Sequence, residues 1–201
     1  MQLRKLNLNL TALIASNTEV FMNTSVINRK EIIIKLIAVL AAIAASIALP
    51  QLFHAVGVIS GTGSAVGAAF LPMHIPVIIA GMLFGPVVGA AAGIASPVVS
   101  SLISGMPAMA VLPFIVIELT AYGLVSGFVS KLKINSFLKL VAVQIAGRMA
   151  RALAVVTAIY VFGNSALTLA SIAEFITTGL FGIILQWLFI PLCVDRFKKN
   201  S

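Results

Sequence analysis

Three ionisable residues, Glu118, Arg148 and Arg151, lie inside long apolar stretches of the chain. At membrane depth such a group costs about 2.5–3.5 kcal/mol on insertion scales, so each needs a partner or a task. Glu118 and Arg148 are expected at similar depth on antiparallel segments, where they could form an ion pair. Arg151 has no second mid-membrane acid, and Glu174 is its other candidate partner. If Glu174 does not reach it, its guanidinium is free for a carboxylate or phosphate.

The two arginines share one helical face with Gln144, because the three residues are spaced by four and three positions. His54 and His74 are predicted on the outer side, and Asn164 lies in a predicted turn. These three residues are weaker binding candidates. A lone His between prolines, such as His74, is more often a hydrogen-bonded loop residue.

Several kinds of chemistry find no support in the sequence. No Cys, Asp or Glu is spaced to complete a metal site with the histidines, so no metal is expected. No serine or cysteine stands beside a histidine in a recognisable nucleophile motif, and no paired carboxylates occur, so no catalytic residue is proposed. A phosphate-binding Walker motif is also missing, so the chain cannot drive transport with ATP by itself. No cofactor is expected.

The composition predicts an integral membrane protein: of 201 residues, 61% are hydrophobic and 9% charged. The net charge of +8 would fit a nucleic-acid partner, but the basic residues cluster in a few connectors, which favours membrane topology instead. No nucleic-acid partner is therefore expected.

The apolar segments predict six membrane helices. The first runs from about 32 to 49 and stops at Pro50, and residues 51–70 form a long loop, interpreted as a lid. Residues 71–107 form two short helices joined at Gly85–Pro86, where glycine ends one helix and proline starts the next. Their glycines recur every four residues, which allows close helix packing. The last three helices are predicted at about 108–130, 137–162 and 172–194.

The chain is thus divided into a leader (1–31), a membrane domain (32–195) and a basic tail (196–201). Two interpretations of residues 1–21 are open: a disordered tail, or an upstream start that is misassigned. Of the 13 Lys and Arg residues, all except Arg148 and Arg151 fall inside or at the inner edge if both termini are cytoplasmic. This is the bias of the positive-inside rule.

The first helix is rich in alanine. Ala38/Ala42, Ala41/Ala45 and Ala44/Ala48 each have small-xxx-small spacing, which makes a nearly flat surface. Spacing alone leaves two interpretations open, packing within the bundle and docking of another membrane protein.

Four segments together resemble the substrate-binding S components of energy-coupling factor (ECF) vitamin transporters. They are LPMHIPVIIAGMLFGP, GAAAGIASPVVSSLISGMP, IELTAYGLVSGF and IAGRMARAL. The resemblance implies an all-α six-helix bundle in the plasma membrane of a prokaryote, which binds a vitamin near its outer face and is not an enzyme. It implies two kinds of partner, a transmembrane coupling (T) component and two cytoplasmic ATPases. The alanine face of the first helix would dock on the T component, through Ala38, Ala41, Ala42 and Ala45.

The substrate-binding candidates are Arg151, Arg148, His74, Glu118, Asn164 and His54. Two arginines on a face that leads outward favour a small anionic vitamin, and pantothenate is the first choice. Few aromatic residues lie near the predicted mouth, which argues against a large flat ring such as a flavin. Two rival functions are kept: a self-sufficient proton-coupled transporter that uses the Glu118–Arg148 pair, and an intramembrane enzyme that uses Glu118 as an acid or base.

Overall fold

The computed structural model describes residues 2–62, 70 and 72–199, with the backbone alone for residues 2–28 and 198. The described part of the chain is built from helices, without strands. In chain order they are α1 (Gln2–Ile59), α2 (His74–Phe84), α3 (Pro86–Ser104), α4 (Leu112–Val129), α5 (Ser136–Tyr160), α6 (Leu169–Thr178) and α7 (Leu180–Lys199). The predicted all-α membrane fold is confirmed.

Five segments in the described residues are long and apolar enough to cross a bilayer: Arg29–Ile59, α3, α4, α5 and Leu180–Phe197. Helix α2, the second predicted span, has 11 residues, fewer than the roughly 20 that a straight crossing needs. The predicted sixth span is divided at Gly179 into the short apolar helix α6 and the longer α7.

The chain divides into two compact units, Met1–Ile37 and Ala38–Ser201. In the first, Lys35 donates to Glu31 at 3.1 Å in an exposed i,i+4 pair. The predictions for residues 1–21 concern residues without described side chains, and they stay predictions. The second unit contains the core and the polar residues of interest.

The predicted end of the first span at Pro50 is wrong, because α1 continues through this proline to Ile59. A proline removes one backbone donor, and membrane helices tolerate this loss where neighbouring groups satisfy the freed carbonyl. Pro50 is buried, and one turn earlier the hydroxyl of Ser46 donates to the backbone oxygen of Met73 at 3.2 Å. The predicted loop at 51–70 is therefore helical over 51–59, and its residues 63–69 lie outside the described ones.

Glycines allow α2 and α3 to pack tightly on α4. A Cβ added at Gly89 would collide with the backbone of Gly123, and one at Gly93 with the backbone of Leu119. The joint predicted at Gly85 is confirmed, with φ of 97°, a conformation that favours glycine. This packing places the middle of α4, which carries Glu118, in the interior.

Candidate functional site

Glu118 is at the centre of a buried ion cluster. It lies in α4 with 0% of its surface exposed. Arg148 Nη1 is 3.1 Å from Glu118 Oε1, and Arg151 Nη1 donates to Glu118 Oε2 at 2.7 Å. Each guanidinium therefore has its own carboxylate oxygen, and the low-dielectric surroundings strengthen both contacts. We call Glu118, Arg148 and Arg151 the arginine site.

The predicted Glu118–Arg148 pair is confirmed. The expectation that Arg151 is free if Glu174 does not reach it is wrong, because Arg151 shares Glu118 with Arg148. The two arginines are three positions apart on α5, so they face the same side of that helix. One carboxylate has two oxygens and can accept from both. Glu174, the alternative partner, is exposed on α6.

Two further residues contact the carboxylate. The hydroxyl of Tyr122 donates to Glu118 Oε1 at 3.4 Å, and His74 Nε2 is 3.8 Å from Glu118 Oε2. The rings of His74 and Tyr122 meet edge to face, with centroids 5.2 Å apart. His74 is buried at the first turn of α2 and is not a loop residue as expected. Tyr122 was missed by the sequence analysis, although its position one turn after Glu118 was a usable signal.

The arginine site carries an excess of positive charge and of hydrogen-bond donors. Two guanidiniums face one carboxylate, since arginine remains protonated in proteins. Arg148 Nε, Arg148 Nη2 and Arg151 Nε are buried and have no hydrogen-bond partner among the described residues. Both ring nitrogens of His74 are likewise buried and have no hydrogen-bond partner among the described residues. Buried donors without acceptors are costly, so the arrangement suits a group that brings negative charge and several acceptor oxygens.

Helix α6 covers the arginine site. Arg148 Nη1 donates to the backbone oxygen of Phe175 at 3.1 Å, and the Arg151 guanidinium carbon is 3.8 Å from the centroid of the Phe175 ring. The remaining cavity has a volume of about 10 Å³ and is lined by both arginines, Ala152, Val155, Ile172, Phe175 and Ile176. Such a volume accommodates about one water molecule.

A second polar cluster lies one helical turn from Arg148 toward the predicted inner side. Gln144 Nε2 donates to Gln186 Oε1 at 3.0 Å, and Trp187 Nε1 donates to Gln144 Oε1 at 2.6 Å. Gln186 Nε2 has no partner in the described part of the chain. Trp187 therefore fixes the orientation of the Gln144 amide.

The other candidate residues lie apart from this cluster. His54 is partly buried in α1, and no described contact joins it to Glu118 or the arginines. Asn164 is exposed, and its side chain accepts from the backbone N–H of Ala166 at 3.0 Å. Among the described residues, no three His, Cys, Asp or Glu side chains are grouped closely enough to hold a metal ion.

The alanines of α1 fall on two different faces. Ala38 and Ala42 are buried, with 8% and 6% exposed, and they pack in the core with Val77 and Leu119. The helix turns these two alanines inward, as the packing interpretation expects, and docking through Ala38, Ala41, Ala42 and Ala45 stays a prediction. Ala41, Ala44 and Ala48 are exposed, and Ala45 is partly buried.

Comparison with known families identifies the family of the chain. The family model described as "ECF transporter, substrate-specific component" covers residues 30–194, which includes the arginine site and all seven helices in whole or in part. No curated protein and no solved structure matched the chain.

Proposed function

Because the chain belongs to the substrate-specific components of ECF transporters, and is thus a substrate-binding subunit of an importer and not an enzyme, we propose that it binds a small anionic vitamin at the arginine site. The anionic group would accept from Arg148 and Arg151. Pantothenate, a monocarboxylate without an aromatic ring, is the first candidate.

The observation that carries this proposal is the unequal number of charges and donors around Glu118. The carboxylate neutralises one of the two guanidiniums, and a monoanionic ligand would neutralise the other. Three guanidinium nitrogens, two on Arg148 and one on Arg151, have no hydrogen-bond partner in the described part of the chain, and the oxygens of a carboxylate could accept from them. A neutral ligand would leave the second charge buried and unpaired, which is costly.

The family implies a T component and ATPases as partners and a multi-pass membrane location. We propose the plasma membrane of a prokaryote, with both termini cytoplasmic, because the basic residues other than Arg148 and Arg151 then lie on the inner side. The exposed small residues Ala41, Ala44 and Ala48 are the proposed docking surface for the T component. Their small side chains would let two helix backbones approach closely.

The test is calorimetric titration of the purified subunit in detergent with pantothenate and with panthenol. Panthenol has the same skeleton, with an alcohol in place of the carboxylate, and is a matched neutral control. We expect heat of binding from pantothenate and at least a tenfold weaker response from panthenol, since a charge-assisted hydrogen bond contributes about 1.5–3 kcal/mol.

Equal affinity for both compounds would contradict the role of the arginines while leaving the family assignment intact. Tight binding of a different, neutral vitamin from a panel would do the same. Binding of another small carboxylate in place of pantothenate would keep the anionic site and change the substrate.

A further inference from the structure

We propose that α6 is the gate of the arginine site and that Phe175 holds this gate closed by occupying the place of the ligand's anionic group. This inference rests on the proposed function, since it assumes that the ligand binds to Arg148 and Arg151. It identifies the step that must precede binding.

Phe175 satisfies the two arginines in the manner of a ligand. Its backbone oxygen accepts from Arg148 Nη1, as a carboxylate oxygen would. Its ring lies over the Arg151 guanidinium, where the face of an aromatic ring attracts a cation. One residue therefore supplies both an acceptor and a negative electrostatic surface to the two arginines.

The cavity at the arginine site is too small for a vitamin. Pockets for small molecules usually have volumes of about 300–1,000 Å³, whereas the cavity between the arginines and α6 has about 10 Å³. A vitamin cannot enter this cavity unless one of its walls moves. The α5 wall carries Arg148, Arg151 and Val155, and its Arg148 and Arg151 are held by the buried Glu118 of α4, so it is the fixed side.

Helix α6 is suited to move as a unit. No residue of α6 is fully buried. Its N-terminus is closed by its own residues: the backbone N–H of Thr168 donates to the hydroxyl of Ser171 at 3.3 Å, and the backbone N–H of Ser171 donates to the backbone oxygen of Thr168 at 3.0 Å. The helix therefore does not depend on a neighbour for this cap. Gly163, at φ of 64°, precedes it and Gly179 follows it, and small residues at the ends of an element can absorb hinge rotations.

Apolar packing completes the closed state. Phe175 and Ile172 pack beside a cluster formed by Phe114, Val155 and Ala158. The residues of this cluster lie on α4 and α5. Movement of α6 would therefore break these apolar contacts and expose the arginines at the same time.

The gate is tested with Phe175→Ala, and Phe162→Ala serves as a matched control because Phe162 is exposed in the connector before α6. Removing the ring abolishes its competition for Arg151. We therefore expect pantothenate to bind Phe175→Ala faster and about two- to thirtyfold more tightly than the unmodified subunit, the range that corresponds to a cation–π contact. Phe162→Ala is expected to bind as the unmodified subunit does. Calorimetry and stopped-flow measurements give the affinity and the association rate.

Weaker or unchanged binding by Phe175→Ala would overturn the gate, because a residue that forms part of the ligand's wall would lose affinity on truncation. A readout without ligand separates the gate from the proposed function. Hydrogen–deuterium exchange of α6 should be several-fold faster in Phe175→Ala than in Phe162→Ala. If no anion binds the unmodified subunit, the proposed function fails. The hydrogen–deuterium exchange then tests the gate by itself, and equal exchange of α6 in Phe175→Ala and Phe162→Ala would overturn the gate.

Discussion

Replacement of Glu118 by glutamine tests whether this carboxylate is the counterion of both arginines. Glutamine keeps the shape and one acceptor oxygen, but it removes the charge and places an NH₂ group against one of the guanidiniums. Removing one partner of a buried ion pair costs about 3–5 kcal/mol, because the remaining charge stays buried. In Glu118→Gln two buried guanidiniums would be left without a counterion, so the loss should reach at least this range.

The expected change in thermal stability follows from that magnitude. For a domain of 150–250 residues, 1 kcal/mol corresponds to about 2–4 °C in the unfolding midpoint. Glu118→Gln should therefore lower the midpoint by about 6–20 °C, measured by thermal unfolding of the purified subunit in detergent. The matched control is Glu31→Gln, which removes the carboxylate of the exposed pair with Lys35 and should cost about 0.5 kcal/mol or less.

A third variant separates lost charge balance from lost packing. Glu118→Leu combined with Arg148→Met and Arg151→Met replaces the whole ion cluster by apolar side chains, a change that is often neutral or stabilising. It should recover most of the stability lost in Glu118→Gln while binding no pantothenate. Equal, small shifts for Glu118→Gln and Glu31→Gln would refute the reasoning, since the buried carboxylate would then not be balancing the arginines.

Three further predictions concern the ligand, the packing and the partner. Arg151→Met should weaken pantothenate binding about 10- to 100-fold and Arg151→Lys less, because lysine keeps the charge and loses the planar fork; an unchanged dissociation constant in calorimetry would remove Arg151 from the site. Gly123→Ala should destabilise the subunit by about 1–3 kcal/mol, since the new Cβ would meet the backbone of Gly89; an unaltered thermal midpoint would contradict the close packing. Ala44→Trp should keep vitamin binding and abolish uptake by vesicles that contain the T component and ATPases. Ala42→Trp, by contrast, should destabilise the fold itself. Normal uptake by Ala44→Trp would exclude the exposed alanines as the docking surface.

The sequence predicted which residues share a face better than it predicted what that face contacts. Spacing by four and three positions predicted Gln144, Arg148 and Arg151 on one side of α5. In the structure the two arginines contact Glu118 of α4, whereas Gln144 contacts Gln186 and Trp187 of α7 in a second cluster. Spacing could not show that the two oxygens of Glu118 would serve both arginines, because this depends on the rotation of α4 about its axis. The contact of α6 with Arg151 was not predictable either, since it depends on the tertiary position of a short helix.

The alanines of α1 also show what residue spacing leaves undetermined. Three overlapping small-residue pairs mark a helix that can pack closely, but helical periodicity alone does not indicate which pair faces inward. The core side chains decide it: Val77 and Leu119 pack on Ala38 and Ala42, and the remaining exposed alanines face away from the core. Similarly, a proline usually marks a helix end, yet α1 continues through Pro50, which is buried and lies in an apolar segment long enough to cross a membrane.

If the ligand is the proposed monoanion, Glu118 also explains how the protein can hold two arginines for it inside a membrane. Without a carboxylate, two buried guanidiniums would repel each other and would cost more than the fold could tolerate. With two carboxylates, no positive charge would remain to attract the ligand. A single Glu118 that holds both guanidiniums leaves one positive charge and several free donors, so the site is stable enough to form and still favours a monoanion. The contacts of Arg148 and Arg151 with Glu118 therefore fit a binding protein whose ligand supplies the one negative charge that this ion cluster lacks.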